Sequence, residues 1–299
     1  MMLRLLVALL CVAGVSATPA QESPTLRKIR EAGMISIGYR ESSVPFSYLD
    51  SAQRPVGYSM AICDRIVDAV RQRLGLADLE RRLVPVSSAT RIPLVTNGTI
   101  DLECGVTTNT AERQRQVAFT VTTFVAASRL VSRKSAPVMR LEDLRGKTVT
   151  STVGTTSLAH LQKLHTERGL EMSIVAVRED TDAFRLVETD RAAAYAMDDV
   201  LLRGTIAVAR HPEDFVVSDE ALSVEPYGIM LGKGDPQFKQ LADQAIKALF
   251  KSGEIHRLYR QWFESPIPPN GVNLGLPMHP AMRRVIEQPT DSPDPAAYR

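Results

Sequence analysis

The sequence predicts an α/β protein built as two similar lobes. Three observations carry this. Short apolar runs alternate with amphipathic helical patterns through a first cycle over residues 34–117. The same alternation recurs over residues 147–218. Arginine, threonine, serine and isolated aspartate gather just after the predicted strands, where open α/β sheets bind their ligands.

In the first cycle MISIGY (Met34–Tyr39) has the composition of a short strand. Tyr58–Leu74 places Ile62, Ile66, Val67, Val70 and Leu74 at helical spacing, and Gly75 supplies the stop. A strand is predicted over 82–86, a short helix capped by Ser87 or Ser88 and running to Val95, and a turn at Asn97-Gly98. A strand over 100–104 and a helical turn or two over 110–117 complete the lobe. The second cycle reads as strands over 147–152, 172–177, 192–197 and 215–218, with helices over 155–168, 181–189 and 198–209. A return strand over 227–231 and amphipathic helices over 236–251 and 253–263 come next. The tail carries Pro266, Pro268, Pro269, Pro277 and Pro280, which predicts an extended strap with one short helix near 282–287.

The first residues have the layout of a secretory leader: Arg4, an apolar run from Leu5 to Val15, then the small residues Ser16 and Ala17. Cleavage is expected after Ala17 or Ala20, so residues 1–20 are assigned to the leader. The run is shorter than the roughly 20 residues a permanent span needs. Cys11 does not suit lipidation, because Leu10 stands where a small residue is required. The 36 Lys+Arg nearly balance the 34 Asp+Glu, which leaves no basic excess for nucleic acid and no polybasic block for a membrane surface. The histidines show no metal-ligand spacing, and neither a metal nor a cofactor is expected. Cys63 and Cys104 remain after leader removal; an oxidising compartment would let them pair, provided the fold brings them close.

The residues after the strands are the candidate site. Arg40 follows the first strand, Ser88 and Arg91 the second, and Val106, Thr108 and Arg113 the third. In the second lobe Gly154-Thr155-Thr156-Ser157 opens a helix, and Asp180 and Asp198 each follow a strand. Three arginines on one rim suit planar anions. A helix start adds free N–H groups and the positive end of its dipole. A carboxylate at a strand end suits an ammonium group. Singly, each position has a plainer reading: a rim arginine is usually solvated, Ser88 and Thr155 are good helix caps, and Asp198 can simply begin its helix. The repetition of the same chemistry at successive strand ends is what favours a ligand.

Seven collinear stretches carry a resemblance: RESSVPFSY (40–48), RIPLVTNGTIDLECG (91–105), TTNTAERQ (107–114), GTTS (154–157), MDD (197–199), DPQFK (235–239) and SPIPPN (265–270). With them the sequence resembles the periplasmic glutamate/aspartate-binding proteins, within the polar amino-acid family of ABC-transporter solute-binding proteins. The resemblance implies a type II periplasmic-binding-protein-like fold with two hinge strands, near 124–131 and 224–231. Lobe 1 would comprise 21–127 plus 226–299, and lobe 2 would comprise 128–225. It further implies that Arg113 clamps a ligand α-carboxylate with help from Thr108, Thr155 and Thr156. Asp198 would accept the α-ammonium, while Arg40, Arg91 and Ser88 hold the side-chain carboxylate. A monomer working with an inner-membrane permease is the expected state.

Two positions depart from that subgroup. Val106 replaces a common serine, which spares a backbone contact and removes a hydroxyl. Asp180 stands where a histidine is expected, and an ionised aspartate accepts hydrogen bonds but donates none. It is therefore expected either to pair with Arg40 or Arg91, or to accept from a ligand amide, which would favour glutamine or asparagine. Three arginines against Asp180 and Asp198 leave one positive charge, which suits an acidic amino acid. A dehydratase-like enzyme on the same scaffold, with Asp180 or Glu103 as base, and a soluble receptor partner are the rival readings.

Overall fold

A computed structural model describes residues 22–298; the predicted leader and Cys11 lie outside the described residues. The described chain begins with helix α1 (Pro24–Ala32), which the sequence reading did not anticipate. Its signals are local: the Ser23 hydroxyl accepts from Leu26 N at 3.1 Å, Pro24 occupies the first turn, and Gly33 closes the helix in the left-handed region.

Strand β1 (Met34–Tyr39) leads into a small antiparallel sheet of β2 (Ser42–Ser43), β3 (Ser47–Leu49) and β4 (Pro55–Val56). Helix α2 (Tyr58–Leu74) has the predicted bounds. Strand β5 (Glu80–Pro85) starts two residues before the expected strand over 82–86, because its register with β1 extends back to Met34↔Glu80. Helix α3 (Arg91–Thr96) begins later than expected. Ser87 and Thr90 form a turn of their own, Ser87 N donating to Thr90 Oγ1 at 2.9 Å, so Ser88 is not a helix cap. Strand β6 (Leu102–Glu103) is the centre of the expected run over 100–104. The helical segment expected over 110–117 shrinks to a 3-10 turn at Arg113–Arg115, since Val117 opens β7 (Val117–Phe119).

The chain then enters β8 (Phe124–Arg133), β9 (Thr148–Thr152), α4 (Thr156–Glu167), β10 (Ser173–Val177), α5 (Asp180–Glu188), β11 (Ala194–Asp198), α6 (Asp199–Ala207) and β12 (Phe215–Val217). It returns through β13 (Ser223–Tyr227) and β14 (Met230–Gly232) to α7 (Pro236–Ser252), α8 (Glu254–Phe263) and α9 (Pro280–Glu287). The first sheet has the order β5-β1-β6-β14-β7, with β5, β1 and β6 parallel and β14 antiparallel to its neighbours. The second has the order β10-β9-β11-β8-β12, with β13 also on β8; β10, β9 and β11 are parallel, and β8 opposes β11, β12 and β13. This is the two-lobed α/β architecture.

Two adjacent strands carry the chain between the lobes. β8 and β13 pair antiparallel from Tyr227↔Phe124 to Ser223↔Ser128. Phe124 and Tyr227, at the lobe-1 end of this pair, pack edge-on to Phe46 with ring centroids 4.9 and 5.4 Å away, and Phe263 stacks on Phe124. Buried aromatic pairs of this kind contribute about 0.5–1.5 kcal/mol beyond area burial, and here they seat the hinge on lobe 1. The proline-rich tail runs as the expected strap. Thr122 N donates to Thr290 O at 2.8 Å, Asn109 Nδ2 donates to Asp291 O at 2.8 Å, and Tyr298 Oη lies 2.8 Å from Thr122 Oγ1. Cys63 and Cys104 form a disulfide with Cα atoms 6.2 Å apart, tying α2 to the chain just after β6. Among the described residues no helix is long and apolar enough to cross a membrane.

Candidate functional site

The carboxyl ends of β5, β1 and β6 face those of β9, β10 and β11 across a cleft, because parallel strands in both lobes leave their loops on the facing edges. The lobes touch there. Arg113 donates from Nη1 to Thr108 O at 2.9 Å, within its own lobe, and from Nη2 to Gly154 O at 3.0 Å, in the other. Thr108 and Thr156 approach to 3.5 Å between hydroxyls. Between the closed lobes lies a small cavity of about 10 Å³ lined by Ser88, Arg91, Val106, Thr108, Thr155, Thr156, Asp180, Asp198, Met197 and Leu201.

Eight of the ten candidates line this cavity, and Arg40 and Arg113 stand directly behind it. Arg40 is 1% exposed. It donates from Nη1 to Ser88 Oγ at 2.6 Å, so Ser88 orients an arginine as well as lining the wall. Its Nη2 lies 3.6 Å from Asp180 Oδ2 and 3.5 Å from Glu179 Oε2, both in the other lobe. Asp180 thus pairs with Arg40, the first of the alternatives open to it. Its second oxygen accepts from Thr152 Oγ1 at 2.7 Å and from Tyr195 Oη at 3.1 Å.

Arg91 is the least satisfied cation. Among the described residues its side chain finds one acceptor, Val106 O at 3.1 Å, and its buried Nε has no partner. The Val106 carbonyl thus accepts from Arg91, a contact that its side chain does not enter. Burial above all, with Arg113 and Arg40 adding repulsion against the pull of Glu103 and Asp180, pushes the Arg91 guanidinium down to about 9. Guanidinium keeps its proton in proteins, so this pressure is an electrostatic demand for an anion. Burial likewise lowers Arg113, while Glu225 and Asp198 oppose it.

Thr155 caps α4, accepting from Leu158 N at 3.1 Å and donating to Thr152 O at 2.6 Å, so its hydroxyl is committed to the helix start. Thr156 donates to Glu225 Oε2 at 2.7 Å. Asp198 ends β11 and accepts from Tyr227 Oη and, at 3.4 Å, from Ser157 Oγ. Burial foremost, then the neighbouring Glu225 charge, holds the Asp198 carboxyl well above the usual carboxylate range. An ammonium group placed against it would relieve both effects.

Sequence reasoning missed Met197, Leu201, Glu225 and Tyr227 as parts of this site. Met197 and Leu201 flank Asp198 on β11 and the first turn of α6, and their spacing is visible once Asp198 is chosen. Glu225 is 3% exposed in β13, in a stretch read only as hinge.

The model of the bacterial extracellular solute-binding proteins, family 3, matches residues 35–265. The chain belongs to that family. Among its family 3 relatives, the L-glutamate/L-aspartate-binding protein of Pseudomonas aeruginosa is 44% identical over 268 residues, 89% of each chain. The glutamate/aspartate import solute-binding protein of Escherichia coli is 44% identical over 275 residues, 92% of this chain and 91% of the relative. In solved structures, this family 3 chain is similar to the solute receptor for L-cysteine of Neisseria gonorrhoeae, at TM-score 0.68 and 26% identity, covering 80% of this chain and 93% of the other. An ancestral arginine-binding protein bound to arginine matches at TM-score 0.68 and 26% identity, covering 77% and 98%.

Proposed function

We propose that this chain is the ligand-capturing component of an ABC importer and that it binds L-glutamate or L-aspartate between its lobes. One observation carries the reading: Arg91 lines a cavity that Asp198 faces from the other lobe, and Arg40 and Arg113, also buried, bond to residues of the same wall. Two carboxylates and one ammonium on a short chain complement that arrangement. The names of relatives 44% identical over most of the chain point to the same ligands.

In this reading Arg113, Thr108, Thr155 and Thr156 hold the α-carboxylate, Asp198 the α-ammonium, and Arg91 with Ser88 and Arg40 the distal carboxylate. Val106 contributes its carbonyl through Arg91, and Asp180 borders the distal group. Lobe 1 spans 21–127 plus 226–299 and lobe 2 spans 128–225, with residues 1–20 removed on export to the periplasm. The ligand's extra affinity for the closed lobes drives closure, and a membrane permease meets the closed monomer.

A second reading, glutamine or asparagine, draws on the Arg40–Asp180 pair, which neutralises one of the two distal cations. Calorimetric titration of all twenty amino acids into purified protein tests both. Binding of glutamate or aspartate at micromolar affinity or tighter, lost in Arg91→Ala and Arg113→Ala, is the expected result. Binding of the amides with none of either acid would replace the first reading by the second.

A further inference from the structure

Asp180 holds a singular position in the cleft. It belongs to lobe 2, at the first turn of α5, yet its Oδ2 faces Arg40 of lobe 1 at 3.6 Å. Its Oδ1 is fixed from behind by Thr152 and Tyr195, both buried. The carboxylate cannot swing away without giving up two hydrogen bonds. The first turn of a helix is also where a carboxylate is favoured. Arg40, held in turn by Ser88 at 2.6 Å, is equally fixed. The cleft thus contains a carboxylate from the chain itself, set against one of the two guanidinium groups that a ligand's distal carboxylate would use.

Resting on the reading above, we propose that Asp180 is a specificity-determining residue that competes with the ligand's distal carboxylate for Arg40 and so narrows the preference for acidic over amide side chains. A distal carboxylate reaching toward Arg40 meets Asp180 Oδ2 as well, and like charges at contact repel. A carboxamide at the same place meets no repulsion, and its NH₂ donates to Asp180. Arg91, with its unpartnered Nε, remains as the cation available to an acid. Glu179, 36% exposed at its side chain and 3.5 Å from Arg40, is the weaker competitor because solvent screens it.

The test is the ratio of glutamate to glutamine affinity, measured calorimetrically at pH 7 for the wild type, Asp180→Asn and Glu179→Gln. Asparagine keeps an oxygen for Thr152 and Tyr195, so Asp180→Asn removes the charge and little else. Its ratio should move toward glutamate by about tenfold or more, within the range of buried charge couplings at interfaces, and Glu179→Gln should move it less. An unchanged ratio in Asp180→Asn, or loss of both ligands from a variant that remains folded by circular dichroism, overturns the proposal. Should Asp180→Asn fail to fold, Asp180→Ser, suited to a helix start, carries the same comparison. The two ideas fail separately. A wild type that binds glutamine alone, with glutamate binding gained in Asp180→Asn, sinks the acidic-ligand reading and supports the competition. A wild type that binds glutamate with an immovable ratio does the reverse.

Discussion

Tyr227 donates its hydroxyl hydrogen to Oδ2 of Asp198, joining hinge strand β13 to the end of β11. Even with this partner, burial and the Glu225 charge keep the Asp198 carboxyl well above the usual carboxylate range. The folded chain therefore retains a proton that the unfolded chain, with its carboxyl near 4, has released. This contribution to stability is greatest in acid and falls as pH rises from about 4 through the raised value. Asp198→Asn is expected to melt higher than the wild type at pH 7–8, by the equivalent of about 1 kcal/mol or more, with the difference shrinking toward pH 4. The same variant should lose amino-acid affinity by about a hundredfold, since it removes one partner of a buried charge pair. Thermal melts across pH together with calorimetry check both. Equal melting at pH 8 would refute the first expectation.

Closure depends on two glycines. A Cβ on Gly154 would stand 2.6 Å from Ser88 O, and one on Gly204 would stand 2.3 Å from Val44 O, each contact crossing from one lobe to the other. Backbone atoms on the far side cannot step aside as a flexible side chain would. Gly204 lies within α6, where alanine otherwise favours the helix by roughly 1 kcal/mol. Gly204→Ala should therefore fold normally while weakening ligand binding at least about tenfold. Small-angle scattering at saturating ligand should find the variant more open than the wild type.

Arg113 spans the cleft with two parallel donors, 2.9 Å to Thr108 O and 3.0 Å to Gly154 O. A lysine keeps the charge but offers a point donor without the planar fork. Arg113→Lys should weaken binding by roughly 10–100-fold, as measured by calorimetry, with the thermal midpoint nearly unchanged. Full affinity in that variant would show that charge alone suffices there.

The Cys63–Cys104 disulfide closes a loop with a sequence separation of 41. On the chain-entropy estimate such a loop contributes about 4 kcal/mol. Cys63→Ser with Cys104→Ser should lower unfolding stability in urea by about that amount. Cys104 directly precedes the Gly105-Val106 segment that forms the cavity wall, so affinity should fall as well. A double variant as stable as the wild type would show that the packing of α2 alone fixes this corner.

Where the chain has a clear period, its structure was legible. The bounds of β1 and α2 come from apolar alternation and from the helical spacing of Ile62 through Leu74, ended by Gly75. The cavity was legible for a different reason: strand ends in α/β sheets converge, so the residues just beyond each strand make up the rim. The hairpin strands β2, β3 and β4 escaped because two or three residues carry no period, and RESSVPFSY offers chemistry rather than pattern. β7 escaped because its three residues become a strand only through pairing with β14 from far along the chain. Glu225 escaped for a related reason. Next to Val224 and Pro226 it reads as one polar residue of a strand, and only the register against β8 brings it to Thr156. Helix α1 was available in the Ser23-Pro24 start and the Gly33 stop, signals that a strand-centred reading passes over.

Met230 pairs with Glu103 on one side and Phe119 on the other, so β14 is the piece that joins β6 to β7. Those two strands have no ladder with each other. The second sheet takes its own last strand, β13, from the same return segment. Both halves of the molecule therefore wait on one short stretch, residues 223–232, for their last strands. Val106, Thr108 and Arg113 lie on the loop between the two strands that wait. A chain cut before that stretch would leave both sheets short of a strand on either side of the cleft, so such a fragment should trap no solute.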